Sequence, residues 1–177
     1  LVYVEFAGIV PAPGEEGTIT VKEACELFFA AHDRKEIMER VSMTKTAAFV
    51  LEKMAQTERF CNAQLFGYIN DISKEEQSQF SVVCVRLDDK SIYVSFSGTD
   101  NTIVGWRENF NMGYLSETPG QLKAVDYLNH MVKEDWKKIR VGGHSKGGNL
   151  SVYASVKCDR NIPVSYTHLR AHETDQY

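Results

Sequence analysis

The sequence predicts an α/β protein in which a mixed sheet is flanked by helices. Amphipathic helical patterns alternate with β-rich runs, and two of those runs are close enough to form an antiparallel hairpin. Near the C-terminal end, a short apolar strand leads through a glycine-rich turn into another helical pattern. That last strand and helix form half of a parallel crossover unit, so both antiparallel and parallel neighbours are expected in the sheet.

The bulk composition favours one globular domain. The chain has 177 residues, of which 43% are hydrophobic, and a net charge of -4. Basic residues do not cluster among aromatic ones, so we expect no nucleic-acid partner. No apolar run approaches the roughly 20 residues of an integral membrane segment.

The cysteines favour a reducing compartment. They lie far apart and lack the spacing of a metal site or a disulfide scaffold: Cys25, Cys61, Cys84 and Cys158. A cytoplasmic location is therefore expected. The chain begins at Leu1 without an initiator methionine, which leaves room for a lost targeting segment.

Two helices are predicted in the N-terminal half. The stretch "ITVKEACELFFAAHD" has Thr20 as a cap and an apolar face of Val21, Ala24, Cys25, Leu27 and Phe28. A second helix is predicted from about Lys45 to Phe60, with a core face of Phe49, Val50 and Met54.

Strands and a further helix follow. The runs "FSVVCVRL" and "SIYVSFSG", joined by "DDK", predict a hairpin, and the weaker run "AQLFGYIND" predicts a third strand. The stretch "TPGQLKAVDYLNHMVKEDW" predicts a long helix, and "KKIRVGG" predicts a short buried strand. The expected core face of that helix is Leu122, Val125, Leu128 and Met131.

The stretch "GGHSKGG" matches G-x-S-x-G as Gly143, His144, Ser145, Lys146 and Gly147. With a strand before it and a helix after it, this pattern predicts a nucleophile elbow. The two glycines would let strand and helix pass closely, and the turn would aim the serine hydroxyl out of the sheet. The backbone N–H of Lys146 would lie at a helix N-terminus and stabilise an oxyanion, as an amide and not as a charge.

Two other interpretations of this turn stay open. It could be an ordinary glycine-rich connection, or a phosphate-binding turn of a nucleotide-binding domain. A Walker loop needs lysine directly before serine or threonine, whereas Lys146 follows Ser145, which disfavours the nucleotide-binding reading.

A second signal lies upstream in "VSFSGTDNTIVGWRENFNMGY". The strand ends at Gly98 and Thr99, where a backbone N–H and a hydroxyl could face the serine of a neighbouring strand. Taken alone, such a pair is more often a plain turn. Trp106, in the helical stretch that follows, is either buried core or part of a movable lid.

Together, "FSGTDNTIVGWRENF" and "VGGHSKGGNLSVYAS" resemble bacterial lipase-like α/β-hydrolases related to the class 3, fungal-type lipases. The resemblance runs from about Leu1 to about Pro163. It implies Ser145 as nucleophile, an oxyanion hole from Thr99 and the Lys146 amide, and a lid region over Asn101 to Met112. Ser97 stands where class 3 lipases usually have arginine, so the structural pairing of that arginine is not expected here.

In an α/β-hydrolase, the acid and the base follow the serine in the chain. The residues of these types downstream of Ser145 are Asp159, His168, His172, Glu173 and Asp175. Only about ten residues separate the helix after the serine from His168, too few for the further strand and loop that would return a histidine to the serine.

The last residues of the chain resemble a translated sequencing adapter. Read as codons, Val164 to Thr174 matches a translated sequencing adapter. We therefore expect a partial hydrolase domain over 1–163 and a non-native tail over 164–177, with the catalytic acid and base lost. The alternative is a genuine tail that contains a catalytic histidine.

The expected function is hydrolysis of carboxylic esters, of lipid or acyl type, through a serine nucleophile. No cofactor and no metal are expected, and the partner would be a small-molecule ester or lipid. Without the acid and base, this chain should be inactive. The alternative is a catalytically inactive hydrolase-fold protein that binds in the same pocket without turnover.

Overall fold

The computed structural model describes residues 1–40, 42, 44–88, 90–100, 102–131 and 136–159. The expected tail over 164–177, with His168, His172, Glu173 and Asp175, lies outside the described residues. So does Asn101 at the start of the expected lid region.

The five strands form one mixed sheet in the order β1-β2-β3-β4-β5. Neighbouring strands are antiparallel from β1 to β4, and β4 and β5 are parallel. The predicted hairpin, the weaker strand before it and the late parallel strand are all present. The strands are β1 (Ile19–Thr20), β2 (Gln64–Ser73), β3 (Ser78–Asp88), β4 (Ser91–Phe96) and β5 (Lys138–Gly143).

Helices flank this sheet as the fold class predicts. Thr20 caps the first helix through a capping box: its Oγ1 accepts the Glu23 N–H at 3.1 Å, and Glu23 Oε2 accepts the Thr20 N–H at 3.0 Å. In the described ranges, no helix has the length and apolar character needed to cross a membrane. The helices are α1 (Val21–Ala31), α2 (Arg34–Glu39), α3 (Ala47–Ala55), α4 (Ile103–Asn111), α5 (Pro119–Met131) and α6 (Lys146–Lys157).

Each face of the sheet is covered by its own apolar cluster. Because side chains alternate along a strand, Val83 of β3 joins one cluster while Val82 and Cys84 join the other. The N-terminal segment, α1 and α3 pack on the first face. Helices α5 and α6 pack on the second, next to β4 and β5. The result is a layered α/β arrangement that positions the carboxyl ends of β4 and β5.

Three predicted core positions are wrong, since Leu27, Val50 and Leu122 are exposed. The helix predicted over 45–60 is also shorter, because α3 covers only Ala47–Ala55. In α3 the buried positions are Ala48 and Leu51, and successive residues of a helix are turned by roughly 100° from each other. Val50 therefore points away from the cluster, whereas Phe49 and Met54 pack partly against it.

Candidate active site at the serine turn

The predicted serine turn and the predicted Gly98-Thr99 segment meet at one edge of the sheet. Parallel strands β4 and β5 are in register from Ser91 and Lys138 to Phe96 and Gly143, so both end at the same edge. A Cβ on Gly98 would lie only 2.6 Å from the carbonyl oxygen of His144. The segments that follow the two strands are therefore in direct contact.

Ser145 occupies the strained turn between β5 and α6 that the glycine spacing predicts. Its backbone has φ 54° and ψ -121°, a conformation that L-amino acids rarely adopt. Helix α6 begins at the next residue, and the Gly148 N–H donates to the Ser145 carbonyl at 2.9 Å. The residue is exposed, so its hydroxyl is accessible to a ligand.

The glycines on either side of the serine are required by the backbone. A Cβ on Gly143 would lie 2.5 Å from the Gly147 carbonyl oxygen and 2.6 Å from that of Phe96. A Cβ on Gly147 would collide with the same Phe96 oxygen and lie 2.8 Å from that of Ser97. These neighbours are backbone atoms that cannot rotate away, so only glycine fits at both positions.

Two backbone N–H groups and one hydroxyl in the segments that meet here have no hydrogen-bond partner among the described residues. The Lys146 N–H is the first of helix α6, and neither it nor the Thr99 N–H donates a hydrogen bond within the described ranges. The Thr99 hydroxyl is buried and also has no partner there. Buried polar groups are normally satisfied, so unpaired donors beside an accessible serine fit a ligand oxygen.

The side chain of Lys146 has a structural role that the sequence did not indicate. Its ammonium group is fully buried and paired with Glu108 at 2.8 Å, so whether the backbone amide serves an oxyanion stays a prediction. Lys146 Nζ also donates to the carbonyl oxygen of Gln79 at 2.5 Å and to its Oε1 at 2.6 Å. Burial lowers the pKa of Lys146, and the Glu108 carboxylate opposes that shift.

The Glu108 carboxylate connects several elements beneath the serine turn. Its Oε2 accepts the Gln79 N–H at 3.0 Å, and its Oε1 accepts the Gly120 N–H at 2.9 Å. Through Lys146 it thus links α4, the start of β3, the start of α5 and the start of α6. Sequence reasoning missed Glu108 and Gln79, because a single acid within a helical pattern gives no sign that it is buried.

Trp106 is not a core residue. Its side chain is 47% exposed on α4, and Ile103 and Phe110 of the same helix are exposed as well. The opposite face of α4 is held by the buried Glu108. The helix therefore has an apolar outer face and an anchored inner face, and whether it moves as a lid stays a prediction.

Tyr3 also reaches the site, which the sequence did not indicate. Its hydroxyl oxygen accepts the Gly98 N–H at 2.9 Å. The contact joins residues 95 positions apart in the chain, and no motif marks the N-terminal partner.

The three described histidines do not hydrogen-bond to Ser145. His144 is exposed, His32 stacks on the Phe28 ring, and His130 pairs with the Asp126 carbonyl oxygen through Nδ1 at 2.7 Å. Among the described residues, no group of three or more histidine, cysteine, aspartate or glutamate side chains is arranged to hold a metal ion.

A family model described as Mbeg1-like matches residues 54–173, more than half of the chain. The match spans the strands and helices from β2 to α6, including Thr99 and the serine turn. No curated protein and no solved structure matches the chain.

Proposed function

The chain belongs to the Mbeg1-like family, and we propose that it is a serine hydrolase of α/β-hydrolase type acting on carboxylic esters. The observation that carries the proposal is the exposed Ser145, at φ 54° on a strand-to-helix turn, beside unpaired backbone N–H groups.

The proposed reaction is acyl transfer in two steps. Ser145 Oγ attacks the ester carbonyl carbon and gives its proton to a base, while the Thr99 and Lys146 amides stabilise the oxyanion. The carbon–oxygen bond to the alcohol breaks, and the alcohol leaves with that proton. Water then adds to the acyl-serine, releasing the acid and restoring the hydroxyl. The proposal assigns the base and its orienting acid to no described residue.

An ester with an apolar acyl chain, such as a lipid, is the proposed substrate class. Helix α4 begins four residues after Thr99 and exposes Ile103, Trp106 and Phe110. An acyl chain that extends from a carbonyl at Ser145 over this face would remove apolar surface from water. A cytoplasmic location, supported by four free cysteines, belongs to the same proposal.

Acylation by an activated ester tests the proposal. We expect an excess of p-nitrophenyl acetate to acetylate Ser145, measured by mass spectrometry of the peptide that contains it, because the oxyanion donors assist attack even without a base. Ser145→Ala should abolish this adduct. The control Ser116→Ala, at an exposed serine outside the site, should leave it unchanged.

Equal acetylation of Ser145 and Ser116 would contradict the proposal. The second candidate, a hydrolase-fold protein that binds without turnover, is favoured by the lack of contact between Ser145 and the three described histidines. It predicts an unreactive Ser145 together with saturable binding of a non-hydrolysable ether analogue of the ester, measured by calorimetry.

A further inference from the structure

We propose that Tyr3 donates its hydroxyl proton to the oxygen of an acyl group bound at Ser145, as a third donor beside the two backbone amides. This role rests on the proposed function. It would make the N-terminal segment part of the site, although that segment precedes the strands and helices of the serine turn by more than half the chain.

The surroundings of Gly98 show where the Tyr3 hydroxyl lies. The Gly98 N–H donates to it at 2.9 Å. A Cβ placed on Gly98 would lie 2.5 Å from the Tyr3 hydroxyl and 2.6 Å from the His144 carbonyl oxygen. One point beside Gly98 is thus close both to the Tyr3 hydroxyl and to the backbone of the residue that precedes Ser145, which places the hydroxyl at the same sheet edge as the serine turn.

The proton of this hydroxyl has no acceptor among the described residues. The oxygen accepts the Gly98 N–H, so the O–H bond points elsewhere. Next to it, the Thr99 hydroxyl is buried and likewise unpartnered. The buried Thr99 hydroxyl is costly to leave without a partner, and the Tyr3 O–H has a proton to donate at the same sheet edge, so a ligand oxygen there would accept from both.

The environment keeps Tyr3 in its donor form. Burial raises the pKa of Tyr3, and the hydrogen bond from Gly98 opposes that shift. The phenol is thus protonated at neutral pH. A hydroxyl that accepts one hydrogen bond also becomes a stronger donor in the next one, since neighbouring bonds polarise each other.

The residues around Tyr3 fix its place. Val2 and Val4 on either side are buried in the first cluster. The Val4 N–H donates to the Leu1 carbonyl at 2.8 Å, and the Val2 carbonyl accepts the Ser81 hydroxyl at 3.5 Å. A tyrosine held in this way loses little conformational freedom when a ligand binds.

The test is the carbonyl stretching frequency of the acyl group on Ser145. The full chain is acylated with an isotope-labelled activated ester, and infrared difference spectra isolate that carbonyl. We expect Tyr3→Phe to raise the frequency and to slow acylation about tenfold, because one hydrogen bond to the oxyanion is lost. The control Tyr68→Phe removes a hydroxyl that contacts Val4 and Glu5 but not Gly98, and should change neither.

A second substitution covers the case in which Tyr3→Phe does not fold. A fluorotyrosine placed at position 3 keeps the contact with Gly98 but donates a stronger hydrogen bond, so it should lower the frequency at neutral pH. An acylated chain whose frequency is the same with tyrosine and fluorotyrosine at position 3 overturns the role of Tyr3 alone. Failure of the unsubstituted chain to acylate at Ser145 overturns the proposed function and this role together.

Discussion

The backbone of Ser145 is strained. A residue other than glycine at φ 54° and ψ -121° loses on the order of 1–3 kcal/mol to strain. The Gly143 and Gly147 contacts explain why the turn does not relax, since strand and helix already touch backbone to backbone. This close packing of β5 and α6 therefore holds the serine at the sheet edge despite the strain.

A variant with glycine at position 145 should therefore be more stable than a variant with alanine there. We expect the free energy of unfolding of the Ser145→Gly variant to be about 1 kcal/mol higher than that of the Ser145→Ala variant. The reason is that the relief of backbone strain exceeds the extra conformational entropy that glycine gives the unfolded chain. Urea denaturation measures the difference, provided that both variants have the same m-value.

Gln77 supplies the matched control, because it also has a positive φ, of 51°, but lies in the turn between β2 and β3. Gln77→Gly should likewise exceed Gln77→Ala in stability, without any effect on acylation of Ser145. A Ser145→Gly variant less stable than Ser145→Ala would show that the turn is not strained.

At the scale of elements, the buried pair of Lys146 and Glu108 joins α4 to α6. Taking two charges out of water is expensive, and each is tolerable only while the other is present. Gln79 of β3 and the Gly120 N–H of α5 satisfy the remaining hydrogen-bonding positions. The pair therefore fixes how the helix after Thr99 sits on the helix after Ser145.

Breaking this pair should cost far more than breaking an exposed one. We expect Glu108→Gln and Lys146→Met each to lower the free energy of unfolding by about 3–5 kcal/mol, because each leaves one buried charge unpaired. The double variant should lose less than the sum of the two. Denaturation of all four proteins of this double-mutant cycle gives the coupling energy.

The exposed pair of Arg34 and Glu52, which joins α2 to α3, is the control. Glu52→Gln should cost much less than Glu108→Gln, because water screens that pair. A Glu108→Gln variant as stable as Glu52→Gln would mean that the carboxylate of Glu108 does not support the serine turn.

The sequence predicted the elements around the site better than the contacts between them. Local patterns indicated the β4 hairpin, strand β5 and the turn at Ser145, because strand periodicity and glycine spacing act over a few residues. The contacts from Lys146 to Glu108 and from Tyr3 to Gly98 join distant segments. They depend on the packing of the sheet, which no short stretch encodes. The predicted buried faces of the helices were partly wrong for a related reason. Leu122 belongs to an apolar pattern in the sequence, but it is exposed in the structure.

At the scale of the whole molecule, the second apolar cluster encloses groups that ionise in alkali. Burial raises the pKa of Cys84 to about 12 from an ordinary value of 9.0. It also raises the pKa of Tyr127, whose hydroxyl contacts the Cys84 sulfur at 3.2 Å. Tyr68, in the first cluster, has its pKa raised mainly by burial too.

Stability should consequently fall in alkaline solution. Above the ordinary pKa values the unfolded chain loses protons that the native chain keeps, so the free energy of unfolding decreases as pH rises. For Cys84 the loss extends from about pH 9 to about pH 12. Urea denaturation at several pH values measures this slope.

Cys84→Val should make the free energy of unfolding fall less steeply with pH, because it replaces one buried ionisable group with an apolar side chain of similar volume. A free energy of unfolding that stays constant from neutral pH to pH 11 would contradict the burial of these groups.

In the proposed site, Ser145 and the backbone amides of Thr99 and Lys146 face one reacting carbonyl group. A crystal structure of the chain after reaction with an alkyl fluorophosphonate tests this arrangement most directly, because the phosphoryl oxygen occupies the place of the oxyanion. We expect a bond from Ser145 Oγ to phosphorus, with the phosphoryl oxygen about 3 Å from the N–H groups of Thr99 and Lys146. A phosphoryl oxygen that points into solvent, or an adduct on a different residue, would contradict it.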